Sequence, residues 1–127
     1  MNENEIGTLV LKCAIEVHRT LGPGLLESVY ETCLAYELEE AGLKVVRQKP
    51  VHVVYKKITF DEGFRADVVV NDLVLLELKS VEAVLPVHKK QVNTYLRLTG
   101  NKLGYLLNFG APVMKEGIYR IVNGLEE

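Results

Sequence analysis

The chain has 127 residues, which suffice for one globular domain with a buried core but not for two. Its 15 basic and 17 acidic residues give a formal net charge of −2, so binding to nucleic acid would need a local basic patch or a bound cation. No apolar run approaches the roughly 20 residues that span a bilayer, and the first residues do not resemble a secretion signal. We therefore expect one domain over residues 1–127 that is cytoplasmic and has no membrane partner.

The first third of the chain has the apolar spacing of two amphipathic helices. The first is predicted over residues 5–21, and the glycine- and proline-rich segment 22–24 ends it. The second is predicted from about residue 25 to residue 41, before Gly42. The apolar residues expected to face the core from this second helix are Leu26, Val29, Tyr30, Leu34 and Leu38.

Glu27 lies in the first turn of the second predicted helix and has two interpretations. An acidic side chain near a helix N-terminus interacts favourably with the helix dipole, which requires no further function. Spacings of three and four residues also place Glu27 on one helix face with Tyr30 and Glu31. This face could be directed toward the edge of a sheet. The spacing alone leaves both interpretations open.

The middle of the chain predicts β-strands. The first three predicted strands cover residues 43–48, 51–55 and 58–60. Pro50 marks a bend, a bulge or an edge strand, because proline cannot donate to a central ladder. The segment 61–63, Asp-Glu-Gly, is predicted as a turn that leads into the next strand.

A hairpin with charged residues follows and forms the centre of the predicted domain. Two β-branched, apolar runs over residues 64–70 and 73–80 flank the polar pair Asn71-Asp72. Their nearly continuous Val and Leu predict strands that are covered on both faces. Burying a charge costs on the order of several kcal/mol unless the charge is paired or binds a metal. The charged residues that need such an explanation are Asp67, Glu77 and Lys79.

These three side chains have the chemistry of a metal-dependent hydrolytic site. Mg²⁺ and Mn²⁺ prefer oxygen ligands, and Asp67 and Glu77 can supply two carboxylates. Because side chains alternate along a strand, Lys79 lies on the same side as Glu77, where it could orient a water molecule and offset charge on a phosphate. In the alternative interpretation, Glu77 and Lys79 form an ion pair at a strand end and Asp67 is solvated.

The register of the hairpin decides whether the two carboxylates can meet. A strict two-residue turn places Asp67 opposite Leu76, so that Glu77 faces away from it. A three-residue loop or a one-residue bulge places Asp67 opposite Glu77. The metal-site hypothesis therefore predicts a loop of odd length or an equivalent bulge.

The last third of the chain adds a helix and two strands. The helix is predicted over residues 87–98, and three of its polar or aromatic side chains share a face: His88, Gln91 and Tyr95. The strands are predicted over residues 103–109 and 118–122. The complete order of elements predicts an α/β domain with a mixed central sheet flanked by helices.

Four segments carry a resemblance to a known group of enzymes. Asp67 followed by Glu77-Leu78-Lys79 resembles the active-site motif of the PD-(D/E)XK nuclease superfamily, although Ala66 stands where the motif name has proline. The segment 91–95 resembles the Gln-x-x-x-Tyr element of the RecB-like nuclease branch. The segment 24–30 matches the signature that names the GxxExxY family, small bacterial and archaeal proteins assigned to this superfamily. The remaining segments that resemble this family are residues 64–67 and 107–110.

The resemblance implies a restriction-endonuclease-like core that binds Mg²⁺, or Mn²⁺, and cleaves phosphodiester bonds. Carried over to this chain, it makes Asp67 and Glu77 the metal ligands together with the backbone carbonyl of Leu78. It makes Lys79 the lysine that assists the attack of water. The further site residues that it implies are Glu27, an additional acidic residue near the metal, and Gln91 and Tyr95, which line the site.

Two hypotheses of different classes follow from these observations. The first is an enzyme, a magnesium-dependent nuclease that acts on DNA, because every charged group of the motif is present. The second is a non-catalytic module that retains the nuclease fold and binds nucleic acid, a protein partner or a second copy of the chain. The small size and slightly acidic charge favour the second hypothesis. The residues do not separate DNA from RNA as the substrate.

Overall fold

The computed structural model describes residues 1–126 as three helices, five strands and one short 3₁₀ helix. The helices are α1 (Glu3–Leu21), α2 (Glu27–Glu40) and α3 (Pro86–Thr99). The strands are β1 (Val45–Tyr55), β2 (Ile58–Val70), β3 (Val74–Lys79), β4 (Leu103–Asn108) and β5 (Ile118–Val122), and the 3₁₀ helix is Met114–Gly117. The predicted α/β class and the predicted order of elements are confirmed.

The five strands form one mixed sheet in the order β1-β2-β3-β4-β5. Strands β3 and β4 run parallel, and the other neighbouring strands run antiparallel. Parallel neighbours need a crossover connection, and α3 provides it. Helices α1 and α2 cover one face of the sheet, and α3 covers the other. This arrangement is consistent with a restriction-endonuclease-like fold. None of the helices in the described part of the chain could cross a membrane, given their length and polarity.

Helix α2 buries only part of the face that its sequence predicts. Tyr30, Leu34 and Leu38 are fully buried, as expected. Leu26 is 74% exposed and Val29 is 37% exposed, so the prediction that these two face the core is wrong. Leu26 precedes the helix as its N-cap residue, and adjacent helical side chains point in different directions, so Val29 cannot follow Tyr30 into the core.

Strands β1 and β2 are longer than their composition predicts. β1 is one continuous strand through Pro50 at the edge of the sheet, which confirms the edge-strand alternative for Pro50, and its register with β2 shifts between Val51 and Val53. The predicted turn over residues 61–63 is wrong, because these residues lie within β2. The register shift accommodates the additional residues of β2. Residues 61–63 therefore remain within the strand although their composition is typical of a turn.

Only part of the central hairpin is covered on both faces. In β3, Val74 to Leu78 are buried, whereas in β2 continuous burial of apolar residues begins only near Ala66. Residues 49–65 form a two-stranded extension, which we call the β1–β2 arm. All its residues are exposed except Val51, Val53 and Phe64, which are half-buried.

Candidate functional site

The loop between β2 and β3 sets the register of the central hairpin. Asn71 and Asp72 have φ values of +51° and +57°, and the amide of Leu73 donates to the carbonyl oxygen of Val70 at 3.0 Å. This geometry is that of a tight hairpin turn with two left-handed residues. Leu73 adds a third residue, so Val70 pairs with Val74. The loop therefore has the odd length that the metal-site hypothesis requires.

Lys44, just before β1, fixes this loop from outside. Its amide donates to Asn71 Oδ1 at 2.7 Å, and its carbonyl oxygen accepts from the Asn71 amide at 2.8 Å. Its ammonium lies 3.0 Å from the carboxylate of Asp72. Asn tolerates the left-handed region better than most residues, and these bonds hold it there.

Asp67 and Glu77 face each other where the β2–β3 ladder ends. The last residues that the ladder pairs are Val68 and Leu76, and the next residues along the two strands are Asp67 and Glu77. Asp67 Oδ2 accepts a hydrogen bond from the amide of Leu78 at 2.9 Å, and the Asp67 side chain also hydrogen-bonds with that of Glu77. In a regular ladder, a backbone carbonyl oxygen of β2 would accept from an amide of β3. The carboxylate of Asp67 takes the place of such an acceptor for the Leu78 amide.

Glu77 is buried in an otherwise apolar strand, and only 7% of its surface is exposed. Burial is the largest reason that its pKa rises from 4.5 to about 9. The hydrogen bond and the charge of Asp67 also raise this pKa, as does the charge of Glu27, whereas the charge of Lys79 lowers it. Without a cation, burial and the neighbouring acidic groups therefore favour the neutral form of the Glu77 carboxyl group.

Lys79 ends β3 and is half-buried, with Asn108 of β4 as its strand neighbour. Its effect on the pKa of Glu77 shows that the ammonium acts on that carboxyl group. Among residues 1–126, however, Lys79 forms no ion pair within 4.0 Å. The alternative prediction of a Glu77–Lys79 ion pair is therefore wrong.

A polar network behind Asp67 holds it in place. Gln48 Nε2 lies 3.4 Å from Asp67 Oδ1 and donates to Glu31 Oε1 at 2.6 Å. Arg47 Nε donates to Glu31 Oε2 at 2.9 Å, so the buried carboxylate of Glu31 is compensated. Gln48 was not predicted as a site residue, because no local signal in the sequence marks a residue that only strand pairing brings to Asp67.

Glu27 is the first residue of α2 and is exposed at the mouth of the site. It lines a cleft of about 260 Å³ together with Glu31, Gln48, Asp67 and Leu78. Both interpretations of Glu27 are therefore compatible with the structure: its position suits the helix dipole, and it borders the cleft that Asp67 also lines.

Tyr30 lies in the core and not at the sheet edge, so the suggested common face with Glu27 is wrong for Tyr30. Its hydroxyl donates to the carbonyl oxygen of Gly22 and accepts from the amide of Leu25 at 3.1 Å. Its ring stacks on that of Phe109 with centroids 4.6 Å apart. Tyr30 thus fixes the loop that begins α2 and, through it, the position of Glu27.

Asn108 fixes the chain that leaves β3. Its Oδ1 accepts from the amides of Val81 and Gly110, and its Nδ2 donates to the carbonyl oxygen of Val81, all at 3.0 Å. A Cβ atom at Gly110 would lie 2.3 Å from that carbonyl oxygen, so only glycine fits there. The segment 107–110 therefore supports the residues that follow Lys79.

Tyr95 and Gln91 differ in their relation to the carboxylates. Tyr95 is half-buried and stacks on Phe64, with ring centroids 3.9 Å apart. Burial raises the pKa of Tyr95, and the charges of Glu77 and Asp67 raise it further. Gln91 is exposed one turn earlier on α3, and the partners of Asp67 described above, Leu78, Gln48 and Glu77, do not include it.

The fold and the site together define a class of protein. A mixed sheet between helices carries two hydrogen-bonded carboxyl groups and a lysine at the ends of adjacent strands. The family model described as the PD-(D/E)XK nuclease superfamily matches residues 4–121. The chain belongs to the PD-(D/E)XK nuclease superfamily. Comparisons with curated proteins and with solved structures found no match.

Proposed function

We propose that the protein is a divalent-metal-dependent nuclease that hydrolyses phosphodiester bonds of DNA. The observation that carries the proposal is the hydrogen-bonded pair of Asp67 and Glu77 beside Lys79, in a chain of this superfamily. A buried acid pair costs stability, and apolar residues of similar volume would avoid that cost. A function that needs both carboxylates explains why the pair is present.

The donor set fits Mg²⁺ or Mn²⁺. The Glu77 carboxyl group, whose raised pKa favours its neutral form, can exchange its proton for a hard divalent cation, which prefers oxygen ligands. No group of three His, Cys, Asp or Glu side chains in residues 1–126 is arranged to hold a metal. Asp67 and Glu77 would therefore need further oxygen ligands, which the backbone carbonyl of Leu78, water and a substrate phosphate would supply. When bound, the cation would supply positive charge that polarises the phosphate and favours ionisation of water.

The other side chains of the site would position the substrate and stabilise developing charge. Lys79 would orient the attacking water through its ammonium and offset negative charge on the phosphate in the transition state. Glu27 would add a carboxylate at the cleft. Gln91 and Tyr95, on the α3 side, would line the path of the substrate.

We also propose that the chain is a member of the GxxExxY group within the superfamily. The three signature positions are Gly24, Glu27 and Tyr30. Gly24 has φ +102°, a conformation that residues with a Cβ rarely adopt. Tyr30 anchors the loop, and Glu27 borders the cleft. Each signature residue therefore has a physical role in building the site.

A second candidate function is a binding module that retains the nuclease fold and cleaves little. It is favoured by the lack of a three-ligand group among residues 1–126 and by the net charge of −2. Such a module would bind nucleic acid, a protein partner or a second copy of the chain without using Lys79.

A cleavage assay tests the proposal. The purified protein would be incubated with single-stranded and duplex DNA and RNA in Mg²⁺, in Mn²⁺ and in EDTA. Glu77→Ala would be prepared identically, and Glu116→Ala, at an exposed position outside the cleft, is the matched control. We expect metal-dependent cleavage of DNA by the wild type and by the control only. If no substrate is cut by the wild type in either metal, the binding module becomes the better account.

A further inference from the structure

The β1–β2 arm, residues 49–65, exposes large apolar side chains. The exposed fractions are 59% for Tyr55, 55% for Ile58 and 48% for Phe60. The register pairs Tyr55 with Ile58 and Val53 with Phe60, so these four side chains emerge on one face of the arm. A contiguous apolar surface of this kind commonly marks a place where a partner binds.

The same arm is basic in a chain whose net charge is negative. It contains three lysines and one arginine but only two acidic residues. Arg65 bonds Glu62 at 2.6 Å, so the charges that remain are those of the three lysines and of Asp61, and the arm stays net positive. Lys56 and Lys57 form the turn at the tip, and the Lys56 ammonium lies 5.4 Å from the centroid of the Tyr55 ring. Positive charge beside an exposed aromatic ring is typical of surfaces that bind single-stranded nucleic acid.

The helices reinforce this charge distribution. Helix α3 carries three Lys or Arg residues and no acidic residue, whereas α2 carries five Glu and no Lys or Arg. The two helices lie on opposite faces of the sheet. A phosphate backbone would therefore be attracted to the arm and the α3 face and repelled by α2.

The base of the arm reaches the carboxylate site. Gln48 directly precedes the arm and lies 3.4 Å from Asp67 Oδ1. Phe64, within the arm, stacks on Tyr95, and the charge of Glu77 raises the pKa of this tyrosine. A strand bound along the arm would thus continue toward the two carboxyl groups.

We propose that the β1–β2 arm binds a single strand of nucleic acid. Tyr55 and Phe60 stack on bases, Lys56 and Lys57 contact phosphates, and the arm presents the bound strand to the carboxylate site. The last of these statements rests on the proposed nuclease function. Binding of the strand by the arm does not, because stacking and phosphate contacts need neither a metal nor cleavage.

The test measures binding in EDTA, where cleavage does not occur. Fluorescence anisotropy follows a labelled single strand of about 20 nucleotides, long enough for at least one binding site, with a duplex of the same sequence as competitor. Tyr55→Ala is compared with Tyr36→Ala on α2, because these tyrosines are 59% and 61% exposed. Lys56→Ala/Lys57→Ala is compared with Lys12→Ala/Lys115→Ala, which removes two exposed lysines elsewhere.

We expect Tyr55→Ala to weaken binding by about fivefold to a hundredfold, because it removes one stacking platform. The Lys56→Ala/Lys57→Ala variant should reduce the slope of log affinity against log salt by about 1.4, since each phosphate contact contributes about 0.7. Both control variants should bind as the wild type does, and the duplex should compete less well than the single strand.

Three results would overturn the proposal for the arm. These are absence of binding by the wild type at low salt, equal affinity of Tyr55→Ala and the wild type, and stronger competition by the duplex. Sedimentation velocity supplies a further check: a dimer that Tyr55→Ala dissociates, with oligonucleotide affinity unchanged, would make the arm a protein interface. Adding Mg²⁺ separates the two proposals, because binding that responds to Tyr55→Ala without any cleavage refutes only the nuclease.

Discussion

The raised pKa of Glu77 results from the burial of its carboxyl group in an otherwise apolar strand. Burial favours the neutral form, and the nearby carboxyl group of Asp67 strengthens that preference. The folded protein therefore holds a proton on Glu77 over a pH range in which the unfolded chain has released it. A divalent cation would reverse this preference, because it stabilises the ionised form.

The raised pKa of Glu77 predicts how stability depends on pH without metal. Between the unfolded value of 4.5 and the folded value of about 9, the folded state binds more protons than the unfolded state. The free energy of unfolding should therefore fall as pH rises, by at most about 1.4 kcal/mol per pH unit from this group. Glu77→Gln cannot ionise, so its stability relative to the wild type should increase with pH.

Urea denaturation in EDTA, from about pH 5 to pH 8, measures this difference. Glu116→Gln serves as the control, because its carboxyl group is exposed and should leave the pH dependence unchanged. A Glu77→Gln variant whose stability changes with pH in parallel with that of the wild type would show that Glu77 is not the group that holds the proton.

Lys79 should matter for cleavage and not for metal binding. Lys79→Ala removes the ammonium that would stabilise the transition state but leaves both carboxyl groups in place. We expect its single-turnover rate of DNA cleavage to fall by roughly a hundredfold or more, with the Mn²⁺ affinity retained. Lys115→Ala, at an exposed site, should cleave normally. An unchanged rate in Lys79→Ala would refute the role assigned to this lysine.

At the scale of elements, the start of α2 depends on one tyrosine hydroxyl. Tyr30→Phe keeps the stack on Phe109 but removes the bonds to Gly22 and Leu25. We expect the free energy of unfolding to fall by about 1 to 3 kcal/mol, because buried hydrogen bonds are lost. Hydrogen exchange at the Leu25 amide should become faster. Unchanged exchange at Leu25 would mean that the hydroxyl does not fix this loop.

The elements also show where sequence patterns predict structure and where they do not. The central hairpin was predictable from its two apolar runs, but its register was not, because one added residue, Leu73, decides it. The segment 61–63 has a turn-like composition and nevertheless belongs to β2, because pairing with β1 outweighs local preference. Apolar residues around α2 predict burial, but only one side of the helix meets the sheet.

At the scale of the molecule, the candidate site could be predicted in part. The motif residues Asp67, Glu77 and Lys79 were identifiable because charged groups are rare in an apolar strand. Gln48 was not identifiable, since its contact with Asp67 depends on the pairing of β1 with β2. Tyr30 was noticed, but its role in the core depends on the stack of its ring on Phe109, which follows β4, and could not follow from spacing.

The net charge of the molecule does not describe how its charges are distributed over the surface. A value of −2 suggests no affinity for phosphate, whereas α2 is acidic and α3 and the β1–β2 arm are basic. Charge separated in this way lets a nearly neutral protein attract nucleic acid on one side only. The arm approaches α3 through the stack of Phe64 on Tyr95, whereas the cleft beside Asp67 is lined by Glu27 and Glu31 of α2.

The central claim is that Asp67 and Glu77 form a divalent-metal site, and a calorimetric titration with Mn²⁺ tests it without any assumption about the substrate. We expect saturable binding by the wild type and by Glu116→Ala, and loss of binding in Glu77→Ala. The circular dichroism spectrum of Glu77→Ala should remain that of the folded protein, because the substitution removes an unfavourable buried acid. A folded Glu77→Ala variant that binds Mn²⁺ as tightly as the wild type would contradict the account.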